Sequence, residues 1–407
     1  MRLGRTLPPA AAPVPLKSVL NGLKGLMRGK TELRRFEDEL KAHHGASHVI
    51  LVSSGKACLY LILKALQRLN PSRREVVIPA YTCYSVPSAV KRAGLTVCLC
   101  DIDPATLDFD FTRLSRLLAE RGDDILAVMP THLFGVASDV PEVRKLTAGT
   151  PVTVVEDAAQ ALGGRLRGKP LGTLGDVGFF SLGRGKALST VEGGVVLTDN
   201  GDLAAALNDE LSSFDGYSAL DIVNLGVQAA ALALLMDPRF FWIPKALPFL
   251  RLGETHFDTD FSLKRMSGFQ AGLARGWQQR LEEATSARRR HTGAWAEALQ
   301  GDGGAGHTSP AEGLLRYPLL VSEPTQRQAL LSASERLGLG VMAAYPRSLD
   351  CLSAMGAHCG DTHCPGARDV ASRLVTLPVH PYVTDGDRRR IHKALPCTEA
   401  SGGEAVP

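Results

Sequence analysis

The sequence predicts an α/β protein: a large, mostly parallel sheet covered by helices on both faces, followed by a smaller C-terminal α+β region. Two observations carry this reading. The first is a series of seven short apolar runs, VILV (49–52), EVVIP (75–79), LTVCLCDID (95–103), ILAVMP (125–130), VTVVED (152–157), VGFFSL (177–182) and GGVVLT (193–198). Helix-length segments separate the first five, and continuous apolar strands in βαβ alternation require a sheet buried on both sides. The second is length, because 407 residues exceed what one core usually holds and leave room for a second, smaller unit.

Taken in order, residues 1–30 are rich in Pro, Ala and Gly and then basic, which predicts an N-terminal arm. From Thr31 a helix is expected, since Leu33, Phe36, Glu37 and Leu40 recur at helical spacing. Residues 31–255 then form the large domain, whose strand rhythm stops near residue 214. Within it, residues 222–250 make an apolar insertion with several prolines. Its eight apolar residues Ala229 to Met236 fall short of the ~20 needed to span a bilayer. Asp221, Asn224 and Gln228 put a polar stripe at its start. Beyond Asp237-Pro238, the residues Phe240, Phe241, Trp242, Ile243, Leu247, Phe249 and Leu250 are interleaved with Arg239, Lys245 and Arg251. That mixture suits either a packed protein interface or a peripheral membrane contact. Residues 256–396 read as a long amphipathic helix, with Phe269, Gln270, Leu273, Trp277 and Leu281 on one face, and a small domain. Its strands are expected in LLRYPLLVS (314–322) and RLVTLPVHPYV (373–383), and residues 397–407 form a tail.

Composition narrows the function. With 46 basic and 42 acidic residues and no long block of one sign, nothing suggests nucleic-acid binding. The eight cysteines lack the dense spacing of a disulfide scaffold, and prolines interrupt any signal-like apolar stretch near the N-terminus, so a cytoplasmic setting is expected. Cys351, His358, Cys359, His363 and Cys364 are not spaced as a standard zinc motif, and no metal is expected. Arg288 to Arg290 reads as a solvated helix face.

Three segments carry chemistry. In VVEDAAQ (154–160) a buried strand ends in acids, and ligands in such sheets bind beyond the carboxyl ends of strands. A carboxylate at Asp157 would keep the nitrogen of a pyridine ring protonated and so strengthen the ring as an electron sink. Glu156 points to the other side of the strand, and the alternative for both acids is a helix cap. In FFSLGRGKALSTVEGG (179–194) a strand runs into Lys186, whose amine in a dry pocket can form an imine and move a proton. Ser181 can bond a phosphate oxygen there, while a plain surface lysine is the simpler reading. In VSSGKACLYLILKAL (52–66) a turn enters an apolar helix, whose first N–H groups at Gly55, Lys56 and Ala57, with the Ser54 hydroxyl, can hold a phosphate or merely cap the helix. His132 in PTHLFG either faces the pocket or is structural, and Arg265 either holds a substrate anion or forms an ordinary ion pair.

Together with VIPAYTCYSVPSAV (77–90), DIDPATLDFD (101–110), KRMSGFQAGL (264–273) and LPVHPYVT (377–384), these segments resemble, in order, the DegT/DnrJ/EryC1/StrS family of pyridoxal-phosphate-dependent sugar aminotransferases. The resemblance implies a fold type I enzyme with a seven-stranded mixed sheet, a small C-terminal domain and a homodimer. It puts the imine on Lys186, the acid at the pyridine nitrogen on Asp157, and the glutamine beside the ring hydroxyl on Gln160. Phosphate contacts fall on Ser54 to Ala57 and on Ser181. Cys83 stands where many relatives have an aromatic residue over the ring, with Tyr84 adjacent, and Lys56 stands where a threonine is usual. The implied reaction moves an amino group, from glutamate, to a nucleotide-linked keto-sugar. Other acceptors, a cyclitol ketone or a lipid-linked sugar, and a non-catalytic binding protein on the same fold are the alternatives.

Overall fold

The computed structural model describes residues 4–247, 255–300 and 313–395. The tail at 397–407, with Cys397, and Phe249, Leu250 and Arg251 of the insertion lie outside the described residues. Two helices open the chain, α1 (Leu16–Arg28) and α2 (Lys30–His44), joined at Gly29 with φ of 51°. All seven apolar runs form strands of one sheet: β1 (His48–Val52), β2 (Glu75–Pro79), β3 (Thr96–Cys100), β4 (Ile125–Val128), β5 (Thr153–Asp157), β6 (Val177–Ser181) and β7 (Gly194–Thr198). Between them run α3 (Gly55–Leu69), α4 (Ser85–Arg92), α5 (Phe111–Arg121) and α6 (Val140–Leu146), the crossovers that parallel strands need. After the sheet come α7 (Gly201–Leu211), α8 (Ala219–Leu235), α9 (Gly268–Leu273) and α10 (Trp277–Gln300). The C-terminal part adds β8 (Tyr317–Leu320), α11 (Pro324–Leu337), β9 (Cys359–Gly360), α12 (Pro365–Arg373), β10 (Leu374–Leu377) and α13 (Asp385–Ala394).

The strand order is β1-β7-β6-β5-β4-β2-β3-β9, with β7 antiparallel to both neighbours and the other pairs parallel. The sheet therefore has eight strands rather than seven. The eighth is two residues long and comes from the C-terminal part, pairing Cys359 with Cys98 and Gly360 with Leu99. The smaller layer is the antiparallel pair of β8 and β10, covered by α10, α11 and α13 around Trp295, Tyr317, Leu330 and Ile391.

Three expectations change. The long amphipathic helix is two helices, because the chain breaks at Gly276 with φ of 68°. Phe269, Leu273, Trp277 and Leu281 still all face the core. Arg288 is not solvated: it is 1% exposed, with Nη2 donating to the carbonyls of Ala11 (3.5 Å) and Ala187 (3.4 Å). The arm is also packed, since Leu7, Ala10, Ala11, Ala12 and Val14 are buried and the Leu7 N–H donates to Gly338 O at 3.0 Å.

Candidate active site

The chemistry-bearing segments meet where the parallel strands end. Pairing of β5 with β6 sets Asp157 beside Phe179, and β6 ends at Ser181 before the turn that carries Lys186. On the other side, β1 runs through Ser53 and Ser54 into α3. A cavity of about 360 Å³ opens between these ends, lined by Ser54, Gly55, Lys56, Asp157, Ser181 and Lys186, with Cys83 and Gln160 also on its wall. A wider depression of about 890 Å³ lies at the opposite ends of the strands, near Arg144, Asp176 and Asn200. It is broad and polar, and Lys186 and the buried Asp157 line the smaller cavity and not this one, so the smaller one is the candidate site.

Burial pushes the Lys186 amine below its ordinary range, against the opposing pull of Cys83 and Asp157, which favours a neutral nucleophile. Burial likewise raises Asp157, against the Ala159 N–H at 3.0 Å, Lys186 and His132. A cationic ring nitrogen at its side would return such a carboxylate to its charged form. Glu156 points the other way, as strand alternation requires, and is fully enclosed. Burial pushes it up, but His132 and the N–H groups of the 172–175 loop outweigh that, and its carboxyl ends below the usual range. It accepts from His132 Nε2 (2.7 Å), Leu174 N (2.7 Å), Gly175 N (3.0 Å) and Gly172 N. Thus one acid faces the cavity while its neighbour fastens a loop.

The phosphate end is built from α3. Ser54 is its N-cap, with Oγ accepting the Ala57 N–H at 3.1 Å, and the first-turn residues Gly55 and Lys56 line the cavity, their N–H groups without a partner inside the helix. Ser181 lies against this turn, since a Cβ on Gly55 would come within 3.0 Å of its own Cβ. Its Oγ accepts the Gly183 N–H at 3.4 Å. Opposite, Val191 holds φ of 73° in the cavity wall, a conformation that costs a β-branched residue about 1–3 kcal/mol. Such strain is maintained where the surrounding structure fixes a site. An enclosed amine, a facing carboxylate and a helix N-terminus with two hydroxyls fit an aldehyde-bearing, phosphorylated pyridine.

Not every candidate joins them. His132 has no nitrogen left for substrate: Nδ1 accepts the Ser138 N–H at 3.0 Å, so Nε2 carries the hydrogen given to Glu156. Tyr84 turns toward the C-terminal part, where its hydroxyl donates to Arg347 O at 2.9 Å and accepts Arg347 N at 3.1 Å, and it does not line the cavity. Arg265 is exposed and away from the cavity wall. The Lys56 ammonium lies over the Phe261 ring at 4.6 Å and 3.8 Å from Asp258, turned from the phosphate end. The Cys/His set is dispersed, and Cys359 instead lies with Cys98 and Glu75, their ligand atoms within 4.8 Å of one another. Glu75 is already committed to a two-pronged pair with Arg121. Two residues not anticipated approach the site. Tyr345 takes the Gln160 Nε2–H at 3.1 Å on its hydroxyl. Arg316, the residue before β8, does not line the cavity, though its charge acts to lower Lys186. Its Nε is shut from solvent without an acceptor, and its Nη1 meets only Met342 Sδ at 3.0 Å. The tight spacing of RYP before an apolar run held no signal for that position.

The sequence pattern of the DegT/DnrJ/EryC1/StrS aminotransferase family matches residues 15–219 and 255–396. The chain belongs to this family. A similar curated member is a GDP-perosamine synthase of Caulobacter vibrioides, 28% identical over 377 residues and covering 88% of each chain. Another is a UDP-N-acetyl-3-dehydro-alpha-D-glucosamine 3-aminotransferase of Acidithiobacillus ferrooxidans, 26% identical over 359 residues, 88% of this chain and 86% of that one. Among solved structures, an E. coli GDP-4-keto-6-deoxy-D-mannose-3-dehydratase with bound hydrated pyridoxal phosphate superposes with a TM-score of 0.76. It is 15% identical, over 97% of this chain and all of that one, a likeness of fold. Pyridoxal 5'-phosphate is the cofactor expected for this family member, and the residues around Lys186 fit it. The family pattern does not cover residues 220–254, which include all of α8 but its first residue.

Proposed function

We propose that the chain is a pyridoxal-phosphate-dependent aminotransferase that moves an amino group from an amino acid, glutamate, to a nucleotide-linked keto-sugar. The observation that carries the reading is the enclosed pair of Lys186 and Asp157 at the carboxyl ends of β5 and β6. When bound, the cofactor supplies an aldehyde carbon for the Lys186 amine and a ring that accepts electrons from the substrate carbon. Lys186 would be the base that moves a proton from the donor's α-carbon and returns one. Asp157 holds the proton on the ring nitrogen. Ser54, the N–H groups of Gly55 and Lys56, and Ser181 would hold the phosphate, while the Ala57 N–H is already given to Ser54 Oγ. Gln160, its Nε2–H held by the Tyr345 hydroxyl, would stand beside the ring hydroxyl. Arg316 offers an unmatched cation for the donor's carboxylate.

The nucleotide keto-sugar is supported by the nucleotide sugars in the names of the two curated relatives, a product in the first and a 3-dehydro substrate in the second. A homodimer and a cytoplasmic setting belong to the same proposal. The latter is supported by the described cysteines, all of them free thiols. The test is a half-reaction assay: the loaded protein is mixed with single amino acids, and loss of the visible cofactor band is followed. The amine form is then offered nucleotide keto-sugars and keto-cyclitols. Conversion by glutamate and reoxidation by a nucleotide keto-sugar are expected. No conversion by any amino acid overturns the reading, and reoxidation by keto-cyclitols alone replaces the acceptor.

A further inference from the structure

Helix α1 is built inside out. Its inward face is Ser18, Gly22 and Gly25, all buried, and it lies so close to α9 that a Cβ on Gly25 would stand 2.3 Å from Gly268 O. A Cβ on Gly272 would stand 2.3 Å from Asn21 O. The large apolar residues Leu16, Leu20, Leu23, Leu26 and Met27, three and four apart, turn to solvent instead. Helix α8 lies beside it on the same support. Leu225 and Ala229 pack with Phe269 and Leu273 of α9, and Val19 of α1 joins that cluster. Its outward residues are again apolar: Leu220, Val223, Val227 and Leu234. Across both helices these side chains are 44% to 82% exposed. Phe240, Ile243 and Leu247 continue the exposed apolar surface beyond α8, whereas Phe241 is buried. Among the 17 residues of α8 only Asp221 is charged, and it is taken by Lys264 at 2.6 Å.

A surface of this kind needs an occupant, and charge identifies it. One flank of α1 carries Lys17, Lys24 and Arg28, all exposed, and Lys30 follows. None of the four is in an ion pair among the described residues. No Asp or Glu precedes Glu32 in the chain. Helices with an apolar face and a basic flank lie in the plane of a membrane surface, the apolar side chains among acyl chains and the cations at anionic headgroups. A second copy docking here would bring this acid-free stretch toward its own like charges, and most of α8 lies outside the residues that the family pattern matches. No helix of the described residues is long and apolar enough to cross a membrane, so the contact is peripheral.

We propose that α1 and α8 together seat the protein on an anionic lipid surface, whatever its substrate. The purified full-length protein should float with vesicles of phosphatidylcholine and phosphatidylserine and stay behind with phosphatidylcholine alone. Leu23→Asp with Val227→Asp, both at exposed positions, should abolish flotation while the melting curve and molar mass stay as in the wild type. A cation near such a surface contributes about fivefold in partition, so Lys17→Gln, Lys24→Gln and Arg28→Gln together should weaken it about 100-fold. Failure of the wild type to float with the anionic vesicles overturns the proposal. Equal flotation with neutral vesicles overturns it as well. A fall in molar mass in the double variant also overturns it, by assigning the face to a second copy.

Discussion

Replacing Arg316 with glutamine separates a substrate-binding cation from a structural one. Among the described residues its Nε has no acceptor and Nη1 has only the thioether of Met342. Burial pushes this guanidinium below its ordinary range, with Tyr345 and Cys83 opposing the shift. A buried cation without a carboxylate is a cost to stability unless a ligand repays it. A donor carboxylate would form two charge-assisted hydrogen bonds, each contributing about 1.5–3 kcal/mol. Taking the lower end, Arg316→Gln loses about 3 kcal/mol of binding in the donor half-reaction, or about 150-fold in kcat/KM. Stability should hold or rise, because the substitution removes no strong hydrogen bond and relieves the desolvated charge. Single-turnover mixing with glutamate gives the first quantity, and the urea midpoint gives the second. Cofactor titration checks that the site still loads. If kcat/KM for the donor stays near the wild-type value, or if the urea midpoint falls sharply, Arg316 is a structural residue and the donor's carboxylate is held elsewhere.

Lys186→Ala should abolish turnover and the visible band of the loaded enzyme, and borohydride should no longer fix cofactor to the protein; normal fixation would mean that another lysine holds it. Asp157→Asn should retain bound cofactor but reduce turnover at least ~100-fold through lost electrostatic assistance, and near-normal rates would remove Asp157 from the ring nitrogen. His44 is buried against Phe180 and Trp277, with Nδ1 donating to Leu40 O at 3.1 Å, and burial lowers it to about 4. The unfolded chain takes up this proton first, so stability present above pH 6.5 is lost as pH falls toward about 4, by about 3 kcal/mol. His44→Phe keeps the packing and should flatten the decline of the urea midpoint over that window; an unchanged slope would refute the assignment.

Burial decided which features the sequence disclosed. The central strands are covered on both faces, so VTVV or VVIP must be continuously apolar, and such runs are visible without any partner. Lys186 and Asp157 were legible for a related reason: Asp157 ends a buried strand and Lys186 follows another by five residues, so local pattern places both. The two-residue strand at Cys359–Gly360 has no run to show, since it exists only because β3 offers an edge. The break before α10 was masked because Phe269, Leu273, Trp277 and Leu281 keep helical spacing across Gly276. His132 and Tyr84 illustrate the limit for side chains. Both stand next to site segments, yet partners remote in sequence, Glu156 for one and Arg347 for the other, decide where they point.

Arg288 shows why the arm could not be judged from composition. Within an Arg-Arg-Arg run a solvated face is the cheaper reading, since an enclosed guanidinium needs acceptors that the run itself does not contain. Here they come from opposite ends of the chain: the carbonyl of Ala11 in the arm and that of Ala187, the residue after Lys186. Burial lowers the Arg288 guanidinium to about 10, and no carboxylate answers it among the described residues. The arm is held along its length by further bonds, Thr6 N to Pro238 O at 2.8 Å and His380 Nε2 to Pro8 O at 2.8 Å. Arg288 therefore connects the arm and the backbone beside Lys186 through one buried charge. Because Pro238 lies just beyond the end of α8, the same arm joins the face proposed to meet lipid to the turn that carries Lys186.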